Sequence, residues 1–366
     1  ITLLCKFDGQ RVTMASQIAG ADETVSSLYS VKSEQATMLS FDTYNYLVHY
    51  FGQPQGSMAD DPNGTLGGDY EFVISDATAD RIELKGKKYG NRIVMKAFSA
   101  DQTWKQYLTR IKKVEDDAFF YEYDLRMDGL YTGQMLRSNY TFIVTYYDEV
   151  GKVHQKTVPF MFTTDGMRFH EPVTIDGQTM QNFVWKNEEI SFVCTDEGAT
   201  EVKLAGVYTA GYQSYDYYPG TYQMDFYRLN DATNQMEVAS QEIQLVKDED
   251  GKSYWLKGLE YDILVTYDKP RGGLSILPQF LKKVQGGYVY LAMWDLMNDY
   301  VLRSSAIGLI SYPTTDGIYL VDNGVWMDEI SGFIFGVYDS QDEEASFMGY
   351  TDAVAAIRLI KKTIEE

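Results

Sequence analysis

Three histidines, His49, His154 and His170, are the side chains of this 366-residue chain best suited to act as general bases or metal ligands near neutral pH. None of them stands in an H-E-x-x-H pattern or in another spacing that would hold a metal ion. The chain also lacks a G-x-S-x-G turn, a P-loop and a strand-linked G-x-G-x-x-G, which hydrolases and nucleotide-binding enzymes need. We therefore predict a protein with no catalytic residues, no bound metal and no cofactor.

Carboxylates are abundant, with 53 acidic against 32 basic residues and a formal net charge of −21. Acidic clusters such as Asp248-Glu249-Asp250 do not continue into a calcium-binding loop with its distant glutamate. Two carboxylates would suffice for glycoside hydrolysis, but the separation that matters there is spatial, so glycoside hydrolase stays a minor alternative. The negative charge disfavours nucleic acids and anionic membranes as partners.

The two cysteines, Cys5 and Cys194, are too few for a disulfide framework or a zinc site. If Asp8-Gly9 forms a two-residue hairpin turn, Cys5 pairs with Val12 across the hairpin. This pairing puts four residues on one apolar face: Leu3, Cys5, Val12 and Met14. Cys5 then acts as a small core residue, while the sequence leaves open whether the two cysteines form a disulfide.

Tyrosines crowd one segment of the chain. Five of the 30 tyrosines lie within residues 208–220, among Gly, Gln, Ser, Asp and Pro residues. An aromatic ring offers a large contact area at a low entropic cost, which suits sugar or protein ligands. We predict a ligand-binding surface formed by Tyr212, Tyr215, Tyr217, Tyr218 and Trp294. The alternative is that these tyrosines pack two domains together.

The elements that must position these residues are β-strands. Period-two alternation with β-branched and aromatic residues recurs along the chain, as in residues 140–146, 222–227 and 288–293, between Gly, Asp and Asn turns. Short consecutive strands form antiparallel hairpins, and closing them into a barrel hides the edge strands. We predict an all-β protein with two tandem antiparallel, lipocalin-like β-barrel domains and a few short helices. Two β-sandwiches are the alternative.

An internal echo supports two tandem units. Leu84-Lys85-Gly86 recurs as Leu256-Lys257-Gly258, and Thr163-Thr164-Asp165-Gly166 recurs as Thr314-Thr315-Asp316-Gly317. Together with chain length, this predicts an N-terminal β domain over residues 1–205, a tyrosine-rich linker over 206–219 and a C-terminal lipocalin-like β domain over 220–366. Helical spacing predicts an inserted helix near residues 99–117, a helix near 43–51 and a terminal helix over 352–364.

Several longer runs resemble a known family. They are Leu39-Ser40-Phe41-Asp42-Thr43-Tyr44-Asn45, His49-Tyr50-Phe51, Gly68-Asp69-Tyr70-Glu71-Phe72 and Leu84-Lys85-Gly86-Lys87-Lys88-Tyr89-Gly90-Asn91. The first 200 residues thereby resemble Bacteroidetes-type envelope lipoproteins of unknown function, and residues 220–279 resemble the lipocalin-like meander modules of related lipoproteins. The resemblance implies a lipidated cysteine upstream of Ile1, export to the periplasm or cell surface, and association with nutrient-uptake systems.

Two classes of function follow from these features. The first is a non-catalytic envelope lipoprotein that binds a glycan or another nutrient-derived ligand at the cell surface. The second is an accessory subunit that docks to an outer-membrane transporter or a partner lipoprotein. In both, the membrane is contacted only through the upstream lipid anchor. A barrel interior lined by large side chains would argue against a ligand carried inside it.

Overall fold

The computed structural model describes residues 1–33, 36–52, 67–148, 150–230, 232–233, 235–342 and 344–362. The chain divides into two compact units, which we call unit 1 (Ile1–Val207) and unit 2 (Tyr208–Glu366). Antiparallel sheets dominate both units, so the all-β prediction is confirmed. Within the described ranges, no helix combines the length and the apolar composition needed to cross a membrane.

Unit 1 begins with a seven-stranded antiparallel half-barrel in which consecutive strands are neighbours. Its strands are β1 (Leu3–Asp8), β2 (Arg11–Ser16), β3 (Val25–Ser33), β4 (Thr37–Phe41), β5 (Glu71–Ala77), β6 (Arg81–Gly86) and β7 (Arg92–Lys96). The short helix α1 (Tyr46–His49), capped by the Asn45 side chain, follows β4 inside the segment predicted to be helical. Residues that alternate along the strands form the core of the half-barrel: Val12, Met14, Leu39, Phe41, Phe72 and Leu84.

The first hairpin shows a register error in the sequence prediction. Gly9 and Gln10 form the turn, with Gly9 at a φ of +58°, so Cys5 pairs with Met14 instead of Val12. The pairing partner differs from the prediction by two residues, and a shift of two keeps each side chain on its face. Leu3 and Cys5 therefore still pack against the core that contains Val12 and Met14. Both cysteines are free thiols.

Helix α2 (Trp104–Asp117) leads from the half-barrel to the next sheet, within the segment predicted to be helical. Thr103 caps it, because its side chain accepts a hydrogen bond from the Gln106 backbone while the Gln106 side chain bonds back to Thr103. Three apolar residues at helical spacing are buried: Leu108, Ile111 and Val114.

A closed eight-stranded barrel, barrel 1, completes unit 1. Its strands are β8 (Glu122–Met127), β9 (Leu130–Ser138), β10 (Thr141–Tyr147), β11 (Val153–Phe162), β12 (Gly166–Ile175), β13 (Gln178–Lys186), β14 (Ser191–Cys194) and β15 (Lys203–Val207). Consecutive strands are neighbours and β15 pairs with β8, which gives an up-and-down topology and agrees with the predicted barrel of consecutive hairpins.

Unit 2 contains a second closed barrel, barrel 2, and a sheet that branches from it. Barrel 2 consists of β16 (Gly220–Asn230), β17 (Gln235–Lys247), β18 (Ser253–Lys257), β19 (Ile263–Asp268), β20 (Gly273–Ile276), β24 (Leu309–Thr314), β25 (Gly317–Asp322) and β27 (Phe347–Lys361). The branch sheet adds β21 (Gln279–Val284), β22 (Gly287–Asp295), β23 (Tyr300–Leu302) and β26 (Gly332–Tyr338), and β26 pairs with β27. Two closed barrels confirm the barrel prediction over the sandwich alternative.

The predicted terminal helix is wrong, because residues 352–361 belong to β27; residues 363–366 lie outside the described residues. Val354 and Ile357 both point into the core of barrel 2, at a spacing of three that is typical of a helix. The spacing arises from a β-bulge: Ala356 has a φ of +50°, and the register with β16 shifts there. One inserted residue converts a period of two into an apparent helical period.

The internal echo relates hairpins rather than whole domains. Leu84-Lys85-Gly86 lies in the half-barrel and Thr163-Thr164-Asp165-Gly166 lies in barrel 1, whereas both of their counterparts lie in barrel 2. The repeated Thr-Thr-Asp-Gly tetrapeptide forms the same kind of turn in both places. In each, the hydroxyl of the first Thr donates to the Asp carboxylate (Thr163–Asp165, 3.0 Å; Thr314–Asp316, 2.6 Å). The same type of turn favours the same residues, so the repeated tetrapeptide does not require a duplicated domain.

Candidate functional site

The tyrosine-rich segment, residues 208–219, belongs to unit 2 and packs against the strand ends of barrel 2; we call it the tyrosine plug. The Tyr218 hydroxyl donates to the Gly272 carbonyl at 2.8 Å, and the Tyr215 hydroxyl donates to the Ser253 carbonyl at 2.8 Å. In return, the hydroxyls of Tyr222 and Tyr254 donate to the carbonyls of Tyr218 and Tyr215. These hydroxyls hold backbone together, which is a structural role.

Three of the four predicted plug tyrosines are buried or half-buried, and Tyr217 is the exposed one. Tyr218 is fully buried, and burial raises its pKa. Tyr212 and Tyr215 are half-buried, with the Tyr212 hydroxyl 3.2 Å from that of Tyr267 and the Tyr215 ring stacked on Tyr254. Tyr217 is 39% exposed and carries the Lys361 ammonium 4.9 Å above its ring.

Trp294, the fifth predicted residue, does not join the tyrosines. It is 5% exposed and belongs to a separate cluster on the branch sheet, with Ala292, Ile334, Ala353 and Ala355. Buried Tyr218 and Trp294 therefore cannot form an exposed contact surface with the other three. The predicted strand over residues 288–293 ended just before Trp294, whereas the observed strand β22 includes it, and the sequence did not indicate which face of β22 is covered.

The interiors of both barrels are filled with side chains. Ten aromatic residues are buried in the core of barrel 1: Phe120, Tyr123, Phe142, Tyr146, Phe160, Phe162, Phe169, Phe183, Trp185 and Phe192. The core of barrel 2 contains Tyr222 and Phe226 from its own strands, together with Phe333 and Phe335 from the branch sheet. Interiors of this kind are packed cores, which argues against a ligand carried inside either barrel.

The branch sheet of unit 2 carries a row of contacting aromatic rings. Phe280, Tyr290, Tyr338 and Phe347 come from four neighbouring strands, β21, β22, β26 and β27, and we call them the aromatic ladder. Successive ring centroids are 5.4, 5.7 and 5.5 Å apart, and each pair of rings is closer to perpendicular than to parallel. The two end rings, Phe280 and Phe347, are 45% and 44% exposed.

Strand register explains why these rings share a face. Phe280 pairs with Tyr290, and Tyr338 pairs with Phe347, so each pair projects to the same side of the sheet. The alternating residues Val289 and Leu291 point to the other side, into the core of barrel 2. One face of the branch sheet therefore covers barrel 2, and the opposite face carries the ladder.

A cation and a glycine fix the geometry of the ladder. The Arg303 guanidinium lies 4.2 Å from the Tyr338 ring and 4.9 Å from the Tyr290 ring, a cation–π arrangement that covers Tyr338. A Cβ on Gly336 would lie 2.9 Å from the Tyr338 ring and 3.1 Å from the Phe347 ring. Glycine at 336 thus allows both rings to lie close to the sheet.

Our sequence prediction missed the ladder, although one signal for it was present. Tyr288 and Tyr290 alternate with Val289 and Leu291, so both faces of β22 are apolar or aromatic. An antiparallel strand whose second face meets water normally carries polar residues there. An outward face made of tyrosines is the deviation that indicates a contact surface.

Two of the three histidines, His49 and His154, have partners that fit structural roles. His154 Nε2 lies 2.8 Å from the Asp148 carboxylate, and its ring stacks on Tyr146. The His49 ring stacks on Tyr70 at 5.1 Å. In the part of the chain that the structure describes, no group of three or more His, Cys, Asp and Glu side chains is arranged to hold a metal ion.

Two family models match the chain. Residues 1–187 match a family described as a domain of unknown function, DUF4302. Residues 195–332 match another family, DUF4987, which has the same description. Neither description names an activity, a ligand or a partner. No curated protein and no solved structure showed a match to this chain.

Proposed function

The chain belongs to the DUF4302 family of domains of unknown function, and from that premise we propose that it is a non-catalytic envelope lipoprotein that binds a glycan at the cell surface. The observation that carries the ligand-binding part is the aromatic ladder of the branch sheet, whose end rings Phe280 and Phe347 are exposed while Tyr338 between them is buried. The resemblance of residues 39–45, 68–72 and 84–91 to Bacteroidetes-type envelope lipoproteins supports export and anchoring through a lipidated cysteine upstream.

The ladder is suited to a rigid contact with sugar rings. Mutual edge-to-face contacts hold the four rings, and the Arg303 guanidinium clamps Tyr290 and Tyr338 from above. Rings fixed before binding lose little conformational entropy when a ligand arrives. The exposed faces of Phe280 and Phe347 pack against the C–H faces of sugars, whereas sugar hydroxyls remain in water.

The charge of the protein selects among glycans. A net charge of −21 repels polyanionic polysaccharides over the distances at which encounters begin. The exposed end rings of the ladder, Phe280 and Phe347, offer aromatic carbon only. We therefore assign the ladder to a neutral polysaccharide rather than to an acidic or sulfated one.

Alanine substitution of both end rings, Phe280 and Phe347, is expected to weaken glycan binding at least about tenfold, the effect of losing about 1.4 kcal/mol of contact energy. Both rings are nearly half exposed, so the double variant should fold normally. Purified full-length protein would be titrated with a panel of neutral and acidic polysaccharides by affinity electrophoresis and calorimetry.

Tyr217→Ala is the matched control, because Tyr217 is similarly exposed, lies in the same unit and stands outside the ladder. It should leave glycan affinity unchanged. Equal binding by wild type and the Phe280/Phe347 double variant would place the ligand elsewhere. Failure of the whole panel to bind would overturn the glycan proposal.

An accessory docking subunit is the second candidate, and one observation favours it. Met297 and Met327 are 83% and 84% exposed on two loops that Trp326 links, through its indole N–H to the Asp295 carboxylate and its ring contact with Tyr300. Exposed methionines adapt their shape to protein partners. A Met297→Ser/Met327→Ser variant that loses a defined outer-membrane transporter partner, yet binds glycan normally, would support docking.

A further inference from the structure

A groove of about 460 Å³ runs between helix α2 and the strand ends of barrel 1 in unit 1. Its floor is apolar, formed by Val114, Val184 and Trp185. The Trp185 ring packs against Phe120 and Phe192, and its indole N–H donates to the Asn187 side chain at 3.2 Å. The floor is therefore rigid. The volume of the groove lies in the range of small-molecule sites.

One wall of the groove is cationic. Arg110 and Lys113 are three residues apart on α2, so their side chains lie on the same side of the helix. Lys113 forms an ion pair with Asp117 at 2.7 Å. Arg110 is exposed and makes no ion pair within 4.0 Å with any carboxylate of the described residues. The guanidinium of Arg110 is thus the cation that this wall presents to a ligand.

The facing wall is the turn Thr163-Thr164-Asp165-Gly166, which the internal echo had singled out. The exposed Asp165 carboxylate accepts the Thr163 hydroxyl at 3.0 Å, and the Gly166 N–H donates to the same Thr163 oxygen at 3.1 Å. A Cβ on Gly166 would lie 1.9 Å from the Phe183 carbonyl, so only glycine lets the turn sit this close to β13. Asp165 is therefore held by its own turn.

Arg110 and Asp165 both act electrostatically on the Tyr107 hydroxyl. Burial raises the pKa of the Tyr107 hydroxyl, the nearby Arg110 lowers it, and Asp165 raises it. Arg110 and Asp165, which both line the groove, therefore also lie within electrostatic range of the same tyrosine hydroxyl. A cation and an anion on the two walls, above an apolar floor, match a zwitterion that carries an apolar group.

We propose that this groove binds a free α-amino acid with an apolar side chain. The Arg110 guanidinium holds the carboxylate, since its planar fork fits two carboxylate oxygens. Asp165 accepts the ammonium group, and the side chain of the ligand lies on Val184 and Trp185. This site is in unit 1 and does not depend on the glycan ligand proposed for unit 2.

Three related probes and two variants test the proposal. L-phenylalanine, L-phenylalanine amide and N-acetyl-L-phenylalanine would be titrated into the full chain by calorimetry and ligand-observed NMR. The amide lacks the carboxylate and the N-acetyl compound lacks the ammonium group, so each should bind at least about tenfold more weakly than phenylalanine. Arg110→Ala should abolish the preference for phenylalanine over its amide, and Asp165→Asn should abolish the preference over the N-acetyl compound.

Each variant should leave the other preference in place. Both residues are exposed, so the variants are expected to fold, and circular dichroism would check that they do. Lys186→Ala, an exposed cation on the same barrel that does not line the groove, is the matched control and should bind like wild type. No binding of phenylalanine, or equal binding of all three probes, would overturn the proposal.

Discussion

Replacing Tyr218 with alanine is expected to lower the free energy of unfolding of unit 2 by about 3–5 kcal/mol, the usual cost of removing a buried aromatic ring. Tyr218 is fully buried, and its hydroxyl donates to the Gly272 carbonyl at 2.8 Å. Its own carbonyl accepts from the Tyr222 hydroxyl at 2.6 Å. Urea denaturation of the full chain, with hydrogen exchange to assign the loss to β16–β20, would measure the effect.

Two further variants test where the stability comes from. One removes only the Tyr218 hydroxyl, and the other removes the exposed neighbouring ring. Tyr218→Phe should cost only about 1 kcal/mol, because the Gly272 carbonyl also accepts from the Gln213 N–H at 3.2 Å and keeps a partner. The neighbouring Tyr217→Ala should cost less than about 1 kcal/mol, since Tyr217 is on the surface. If Tyr217→Ala and Tyr218→Ala destabilised unit 2 equally, the tyrosine plug would not have the structural role described here.

Replacing Asp69 with alanine is expected to destabilise unit 1 by about 3 kcal/mol, because several hydrogen-bond donors lose a buried acceptor together. The Asp69 carboxylate accepts from the N–H groups of Lys88, Tyr89 and Asn91 and from the Asn91 side chain, at 2.7–3.3 Å. It thus joins two runs that carry the family resemblance, residues 68–72 and 84–91. Denaturant unfolding of the variant and the wild type would measure the loss.

The effect should depend on pH in a defined direction. Burial alone would raise the pKa of Asp69, but the hydrogen bonds from Tyr89, Lys88 and Asn91 outweigh it, and the net pKa is lowered. A lowered pKa in the folded state means that the stabilisation is complete above the unfolded value of about 3.9 and is lost as pH falls through the folded value. The difference in stability between wild type and Asp69→Ala should therefore be constant near neutral pH and shrink in acid.

Gly86→Ala provides an independent check on the same contact. A Cβ at residue 86 would lie 1.8 Å from Asp69 Oδ2 and must displace the carboxylate. The substitution should therefore destabilise the wild type strongly but cost less in the Asp69→Ala background, where the oxygens are gone. Fully additive effects would contradict the arrangement.

Pattern analysis predicted most of the strands and failed where the chain departs from strict alternation. The bulge at Ala356 made a strand look helical, because Val354 and Ile357 became three residues apart on one face. The Gly9-Gln10 turn shifted the first hairpin register by two residues, yet the apolar face survived, since side-chain direction repeats every two residues. The half-barrel was not anticipated as a separate sheet, because an open and a closed meander have the same local pattern.

The candidate site was predicted less well than the fold. Tyrosine density identified residues 208–219, but tyrosine is both a surface residue and a buried hydrogen-bond donor. Composition could not distinguish exposed Tyr217 from buried Tyr218, its neighbour in sequence. The hydroxyl of Tyr218 bonds a carbonyl 54 residues away, and no local pattern encodes that partner.

The sequence by itself determined the all-β class, the strongly acidic surface and the face on which each strand carries its apolar residues. These properties depend on composition or on neighbours two residues apart, so a single chain displays them directly. Only the tertiary structure decided which aromatic rings are exposed and which of them meet. Phe280 and Phe347 join one ladder, and Arg303 covers Tyr338, through strand pairings and ring contacts between residues far apart in the sequence. Such contacts depend on how the barrel closes and where the branch sheet leaves it, which is a property of the whole fold.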